Sequence, residues 1–319
     1  MSSQPLKVLI VGAGEIGDAL LRGFVQHGGD RVNVTVLLRP GQDPKDERKQ
    51  QQIRAIETLK ASVVFADLAA STADGLANIF KAFDLVISAT GFAAGRGTQL
   101  KICQAALQAK VNRFIPWQFG IDYDLIGRGS AQDLFDEQLD VRDMLRAQAI
   151  AGRPHTEWVI VSSGMFTSFI FESYFGVVEP RKGGEVVVRA LGSWENQVTL
   201  TTAEDIGSLT AQIVVADDTA WDSVVYVAGD TVSYKQVADA IEGALAKTKR
   251  SVRRELWDMS YLQSEFAKDP KNEVNKYRVV FGQGTGASWP LSATWNHKHK
   301  VKTTSLTQWL ESNSSVLDK

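Results

Sequence analysis

The sequence predicts an α/β protein: a doubly wound parallel sheet followed by a smaller mixed α/β lobe. Three observations predict it. Short, nearly continuous apolar runs alternate with amphipathic segments through the first half of the 319-residue chain. A glycine-rich turn, Gly12-x-Gly14-x-x-Gly17, separates the first run from the segment after it. The second half loses the strict alternation but keeps both kinds of segment. Strands that alternate with helices build parallel sheets covered on both faces, so their residues read as unbroken apolar runs.

Taken in order, "LKVLIVGAGEIGDALLRGF" is a buried strand, a glycine turn and an apolar-periodic helix. "RVNVTVLLRP" is the second strand, and "DERKQQQIRAIETLKA" carries a helical charge pattern. "SVVFADL" is the third strand, "TADGLANIFKAF" a helix and "DLVISATG" the fourth strand. "RGTQLKICQAALQAK" is a helix, "VNRFIPW" the fifth strand, and a long helix runs from about residue 131 to 149 before "TEWVIVSSG", the sixth strand. In the second half, "GGEVVVRALGS" and "NQVTLTT" read as a hairpin-type pair and "DSVVYVAG" as a strand. "SYKQVADAIEGALAK" is a serine-capped helix, and "MSYLQSEFAKDP" continues a helical tail. Residues 1–160, with strands returning from about 195–230, are expected to form the nucleotide-binding part; 161–319 are expected to be mainly a substrate lobe.

The bulk numbers narrow the class. The chain is 44% hydrophobic, enough for a large core, and its 35 basic and 37 acidic residues leave a net charge of −2. No block of one sign offers a footprint for nucleic acid. No apolar stretch approaches the roughly 20 residues that span a bilayer, and the short polar start suggests no signal peptide. A soluble cytoplasmic protein, monomeric or homodimeric, is the expectation. The single cysteine, Cys103, rules out an internal disulfide and reads as a buried helical thiol. His297 and His299 lack acidic or thiol partners nearby and read as a solvated loop, so no metal is expected.

The glycine turn gains meaning from its setting. Between a strand and a helix, it lets backbone amides and the helix N-terminus approach a pyrophosphate, as in Rossmann-type folds. Gly12, Gly14, Glu15, Ile16 and Gly17 are therefore assigned to the dinucleotide. Where an NAD site places an acid at the end of the second strand, this chain has Arg39. A guanidinium there can fork onto a 2′-phosphate, with Lys45, Arg48 and Lys49 following, and the reading is NADP(H). Asp67 stands either near the adenine or as the cap of the next helix. Ala89, Thr90 and Gly91 are small enough to run along the cofactor, and Pro116, Trp117 and Phe119 complete the cofactor set.

The chemistry is expected at "FIPWQFGIDYD", which ends the fifth strand in large hydrogen-bonding groups rather than turn residues. Ligands sit beyond the carboxyl ends of such strands, so Trp117, Gln118 and Tyr123 are placed in the ligand crevice. None of the six tyrosines is followed four residues later by lysine, which excludes the Tyr-x-x-x-Lys mechanism of many reductases. In the long helix, Leu134, Gln138, Val141 and Leu145 share one inward face, with Gln138 its polar exception. A buried amide is costly unless bonded, so Gln138 either holds backbone or faces cofactor and substrate.

"RFIPWQFGIDYD", "LFDEQLDVRDMLR", "TEWVIVSSGMF" and "TAEDIG" together resemble the isoflavone reductase and phenylcoumaran benzylic ether reductase group, atypical short-chain reductases of the NmrA-like superfamily. The resemblance is greatest to the fungal members called aromatic alcohol reductase or isoflavone-reductase-like, and best from Val8 to about Gly207. It implies a Rossmann domain, NADPH and a substrate lobe in the C-terminal half. Plant members read P-S-E-F-G where this chain has Pro116-Trp117-Gln118-Phe119-Gly120, and carry a catalytic lysine in F-x-x-K-x-x-V-R. Here that segment runs from Phe135 to Arg142 with Gln138 at the lysine, and an amide exchanges no proton near neutral pH. The expected activity is hydride transfer from NADPH to a small aromatic or conjugated, phenylpropanoid- or isoflavonoid-like substrate. Gln138, Tyr123 and Gln118 are the candidate catalytic donors. Trp117, Met165, Phe166 and Phe169 are expected to line the substrate pocket, with Trp289 a further candidate. The rival is a dinucleotide-binding regulator or redox sensor without turnover, and a third reading is a dehydratase or isomerase that keeps the cofactor as scaffold.

Overall fold

The computed structural model describes residues 4–41, 46–91, 95–148, 155–248 and 250–318. In chain order the elements begin with β1 (Leu6–Val11), α1 (Glu15–Gly28), β2 (Val32–Leu38), α2 (Glu47–Thr58), β3 (Ser62–Phe65) and α3 (Ala73–Phe80). They continue through β4 (Leu85–Ser88), α4 (Thr98–Ala109), β5 (Arg113–Ile115), α5 (Tyr123–Ile126), α6 (Leu134–Ala147), β6 (Glu157–Ser162) and β7 (Met165–Phe166). Next come β8 (Val178–Pro180), β9 (Glu185–Gly192), β10 (Gln197–Thr201), α7 (Ala203–Val215), β11 (Ser223–Tyr226), β12 (Asp230–Ser233) and α8 (Tyr234–Leu245). The chain ends with β13 (Ser251–Asp258), α9 (Met259–Lys268), α10 (Glu273–Gly282), α11 (Trp295–Lys298) and α12 (Leu306–Ser312).

These elements form two compact units. Unit 1 comprises residues up to 118, 137–161 and 206–225; unit 2 comprises 119–136, 162–205 and 226–319. The sheet of unit 1 runs β11-β6-β5-β4-β1-β2-β3, the doubly wound order 3-2-1-4-5-6 with β11 added at its far edge. β1 lies parallel to β2 and β4, and the β2–β3, β4–β5 and β5–β6 pairs are parallel too. Val8, Leu9, Ile10 and Val11 are fully buried, as a strand covered on both faces demands. Phe80, Ile102, Cys103, Phe114, Val141 and Leu145 close one face of the sheet, and burial pushes the Cys103 thiol up to about 12.

Unit 2 holds two three-stranded sheets, β12-β10-β7 and β13-β9-β8. The hairpin expected between β9 and β10 does not form. β9 instead pairs in parallel with β13 and antiparallel with β8, while β10 pairs with β12 and β7. The reason lies in β9 itself: Val186, Val187, Val188, Ala190 and Leu191 are all wholly buried, so the strand needs neighbours on both edges. Gly192, at φ +77°, turns the chain away, and Asn196 Nδ2 holds the turn through the Leu191 carbonyl at 3.0 Å. Serine capping of α8 is as expected, a full capping box in which Ser233 and Gln236 bond reciprocally.

Candidate functional site

The site begins at the glycine turn of unit 1. Gly12 takes φ +109°, and a Cβ there would stand 2.7 Å from Thr90 Oγ1, so only glycine fits. A Cβ at Gly17 would collide with the Gly12 carbonyl, which fixes how closely α1 follows β1. No side chain caps α1 at Gly14, which leaves its first backbone N–H groups directed outward. Across the turn, Thr90 donates to the Val11 carbonyl at 2.8 Å, and Gln99 Nε2 donates to the Thr90 carbonyl at 2.6 Å. β1, β2 and β4 thus end around a cleft of about 500 Å³ lined by Gly12, Gly14, Arg39, Ala89, Thr90 and Gly91 among others.

Of the expected cofactor residues, Glu15 is exposed at the start of α1, whereas Ile16 and Gly17 are buried beneath the turn. Trp117 lies against Gly91: a Cβ on that glycine would come within 3.0 Å of the indole. Pro116 is buried, and its carbonyl accepts from Gln118 N at 2.8 Å. Phe119 is buried and belongs to unit 2. Lys45 lies outside the described residues. Sequence reasoning missed Leu37, Leu38, Gln52, Ala66, Leu68 and Ala69, which also line the cleft; their only signal is position at the ends of β2 and β3 and on α2.

Arg39 meets the cleft as the sequence predicts, but not alone. Its Nε pairs with Asp67 Oδ2 at 3.1 Å while 71% of the side chain stays exposed. Asp67 does not cap α3; Thr72 does, accepting from Gly75 N at 3.1 Å. Asp67 closes its own turn by accepting from Ala69 N at 2.9 Å and Ala70 N at 3.3 Å. Those bonds, then Arg39, hold its carboxyl below the ordinary range. Lys49 turns into the cleft with Nζ on Gln52 Oε1 at 3.2 Å, and partial burial pushes its ammonium pKa down. Arg48 stays exposed.

The buried face of α6 bears Gln138, Val141, Arg142 and Leu145. Gln138 is wholly buried, and neither its Nε2 nor its Oε1 has a hydrogen-bond partner. Gln118 has a different task from the one expected. It is also wholly buried, its Nε2 donates to the Gln138 carbonyl at 2.8 Å, and its Oε1 accepts from Arg142 Nε at 2.8 Å. Both ends of that amide are engaged, so Gln118 ties the end of β5 to the turn of α6 that carries Gln138 rather than presenting a donor. Glu137, which sequence reasoning passed over, caps α4: its carboxylate accepts from Gly97 N and Gln99 N, each at 2.9 Å.

In unit 2, Tyr123 opens α5 and packs on Phe135 with ring centroids 4.9 Å apart. Phe169 packs on Phe175 at 4.7 Å and on Tyr174 at 5.9 Å. Met165 is buried on β7, Phe166 is half-buried, and Phe171 stacks on Trp309 at 4.8 Å. Part of the aromatic run therefore fills the core of unit 2. Trp289 does too: its Nε1 donates to the Val227 carbonyl at 3.1 Å. His299 stacks on Trp295, and among the described residues no group of three His, Cys, Asp or Glu could hold a metal ion. Among them, too, no helix is long and apolar enough to cross a membrane.

Fold and cleft define a doubly wound protein with an uncapped glycine turn after its first strand and a basic residue after its second. The model of the NmrA-like family matches residues 5–310, and the chain belongs to that family. It is 39% identical over 307 residues to an NmrA-like family domain-containing oxidoreductase of Gibberella moniliformis, covering 95% of this chain and 97% of that one. The fold matches the crystal structure of an isoflavone reductase with a TM-score of 0.76 at 18% identity, over 97% of this chain and 99% of the other. It also matches AtPrR2, solved with NADP+ and (+)pinoresinol, with a TM-score of 0.76 at 19% identity and the same coverage.

Proposed function

We propose that the protein is an NADP(H)-dependent oxidoreductase that reduces a small aromatic or conjugated substrate of phenylpropanoid or isoflavonoid type. The observation that carries this reading is the cleft at the ends of β1, β2 and β4, because its residues fit the dinucleotide. Gly12 and Gly14 allow close backbone approach, the uncapped amides of α1 suit a pyrophosphate, and Arg39 and Lys49 are cations on the cleft wall that suit a 2′-phosphate. The fungal relative's description as an oxidoreductase supports the reaction class, and the AtPrR2 complex with pinoresinol supports an aromatic substrate.

When bound, NADPH supplies a hydride. The residues of this chain hold and orient. Arg39 and Lys49 bind the phosphate, and Trp117 covers Gly91. Gln138 donates a hydrogen bond to the substrate oxygen that gains charge, which its buried, unpartnered amide is free to do. Gln118 and Arg142 keep the Gln138 turn in place. The proton comes from water, because an amide cannot supply one at a matched pKa.

One observation favours a second reading: the family's lysine position is an amide, which suits a nucleotide-binding regulator that never turns over. The discriminating experiment is NADPH oxidation, followed optically, with a panel of quinones, enals and phenolic ketones. Turnover above background with an aromatic enal or ketone supports the reductase. Tight NADPH binding with no turnover on any of them supports the regulator.

A further inference from the structure

The sheet β13-β9-β8 of unit 2 ends at β13, which pairs with β9 and, among the described residues, with no other strand. One bond fixes which of its backbone groups face outward. Ser251 N donates to the Gly184 carbonyl at 3.3 Å, and because the ladder alternates, Arg253, Glu255 and Trp257 also turn their peptide groups to β9. Those of Val252, Arg254 and Leu256 point away from it, along an edge strand eight residues long with no proline, glycine or lysine in it. An edge of that length is a template for a further strand unless something blunts it.

The side chains alternate between two faces. On one, the Glu255 carboxylate accepts from Arg253 Nη2 at 2.9 Å and from Arg189 Nε at 2.7 Å. On the other, Arg254 Nη2 meets Asp239 at 2.5 Å and Glu242 at 3.0 Å, both on α8, so Arg254 carries its own counter-charge. Apolar surface borders the edge: Leu256 is 50% exposed, and Tyr261, whose ring lies 5.4 Å from that of Trp257, is 41% exposed. The order Val252-Arg253-Arg254-Glu255-Leu256 is complementary to its own reverse. About a two-fold axis at Arg254, an antiparallel second β13 sets Arg253 opposite Glu255 twice and Val252 opposite Leu256 twice. The Arg–Glu pairs fall at non-hydrogen-bonded positions, where opposed side chains come closest, and the outward peptide groups of Val252, Arg254 and Leu256 form the new ladder. Moving the axis one residue either way sets Arg253 against Arg253 or Glu255 against Glu255, and like charges directly opposite are unfavourable.

We propose that β13 is a self-recognition edge, at which two copies of this chain pair antiparallel about Arg254 to build one six-stranded sheet, β8-β9-β13 from each copy. The charges that would repel an unrelated strand are the ones that select a second copy and set its register. This pairing is independent of the reaction proposed above.

The test is the oligomeric state of the full-length protein, followed by sedimentation at rising concentration up to about 0.1 mM. The wild type should sediment as a dimer. Arg253→Glu turns two attractive cross-strand pairs into two repulsive ones and should raise the dimer dissociation constant by at least about tenfold, with thermal midpoint and NADPH affinity retained. Register is read separately with single cysteines, since the native Cys103 is buried. Arg254→Cys brings two thiols face to face with Cα atoms about 5.5 Å apart, within reach of a disulfide, so diamide should link the copies covalently. Val252→Cys sets its two thiols about 13 Å apart along the strands and should stay unlinked. If Arg253→Glu also weakens the fold, the cysteine pattern decides alone. A wild type that remains monomeric throughout overturns the proposal and leaves the edge to solvent or to a strand of another protein. A dimer that fails to link at Arg254→Cys, or that links equally at Val252→Cys, places the contact elsewhere and overturns it too.

Discussion

Gln138 is the residue on which the proposed chemistry turns. Its helical phase points it inward, the resemblance seen in the sequence implies a lysine at its position, and both of its polar atoms are buried without partners. Losing one donor to a developing oxyanion costs about 10²–10³ in rate, so Gln138→Leu should lower turnover by that order while NADPH affinity stays constant. Gln138→Lys restores an ionisable group in a dry setting, where a lysine titrates below its ordinary value. Turnover should then acquire a new pH dependence; if both variants keep wild-type turnover and pH profile on an identified substrate, Gln138 has no part in the chemistry. Arg39 is the second residue on which the function turns. Charge-assisted bonds contribute about 1.5–3 kcal/mol each, so NADPH should bind roughly 10- to 100-fold more tightly than NADH. Arg39→Ala should erase most of that preference and leave NADH nearly untouched, as read by titration of the two nucleotides. The sequence announced Arg39 through a missing acid, but nothing local announced Asp67 as its partner, because the pair spans two strands and forms only when β2 and β3 align in register.

At the scale of elements, the site depends on how α6 is fastened. Gln118 binds the Gln138 carbonyl, and one residue earlier Glu137 caps α4, whose Gln99 in turn holds the Thr90 carbonyl beside the glycine turn. One stretch of helix therefore links the catalytic candidate to the floor of the nucleotide cleft. Glu137→Ala removes the acceptor for several N–H groups of α4 and should cost about 1–2 kcal/mol, measured by urea denaturation, with NADPH affinity falling alongside. A loss of stability with no change in nucleotide affinity would show that α4 does not transmit to the cleft. The elements of unit 1 were legible because each is local: a run of Val, Leu and Ile, a glycine turn, a helix of 3.6-residue period. Their order in the sheet follows from the crossover rule. The pairing of β9 was not legible, since its partner β13 lies some 60 residues further along and no turn chemistry connects them. The start of α6 was also displaced: the helical pattern begins near residue 131, yet Gln132 folds back to accept from Leu134 N at 3.3 Å and the helix opens there.

For the whole molecule, the cysteine count supplies a reporter. Cys103 is the single thiol of the chain, and it is wholly buried in the core of unit 1 with its pKa pushed up to about 12 by that burial. A neutral, enclosed thiol reacts with a disulfide reagent only when unit 1 opens, so labelling near pH 8 should report the population of the open state rather than the chemistry of the thiol. A ligand that binds only the closed form lowers that population by one plus the ratio of its concentration to its Kd. NADPH at about 100 times its Kd should therefore slow labelling about 100-fold, equivalent to about 2.7 kcal/mol. NADH at the same concentration should slow it far less, and Arg39→Ala should reduce the NADPH effect to the NADH level. Cys103→Ala provides the blank. Labelling that ignores NADPH, in a protein shown by titration to bind it, would mean that the nucleotide does not stabilise unit 1, and the cleft at the ends of β1, β2 and β4 would lose its assignment.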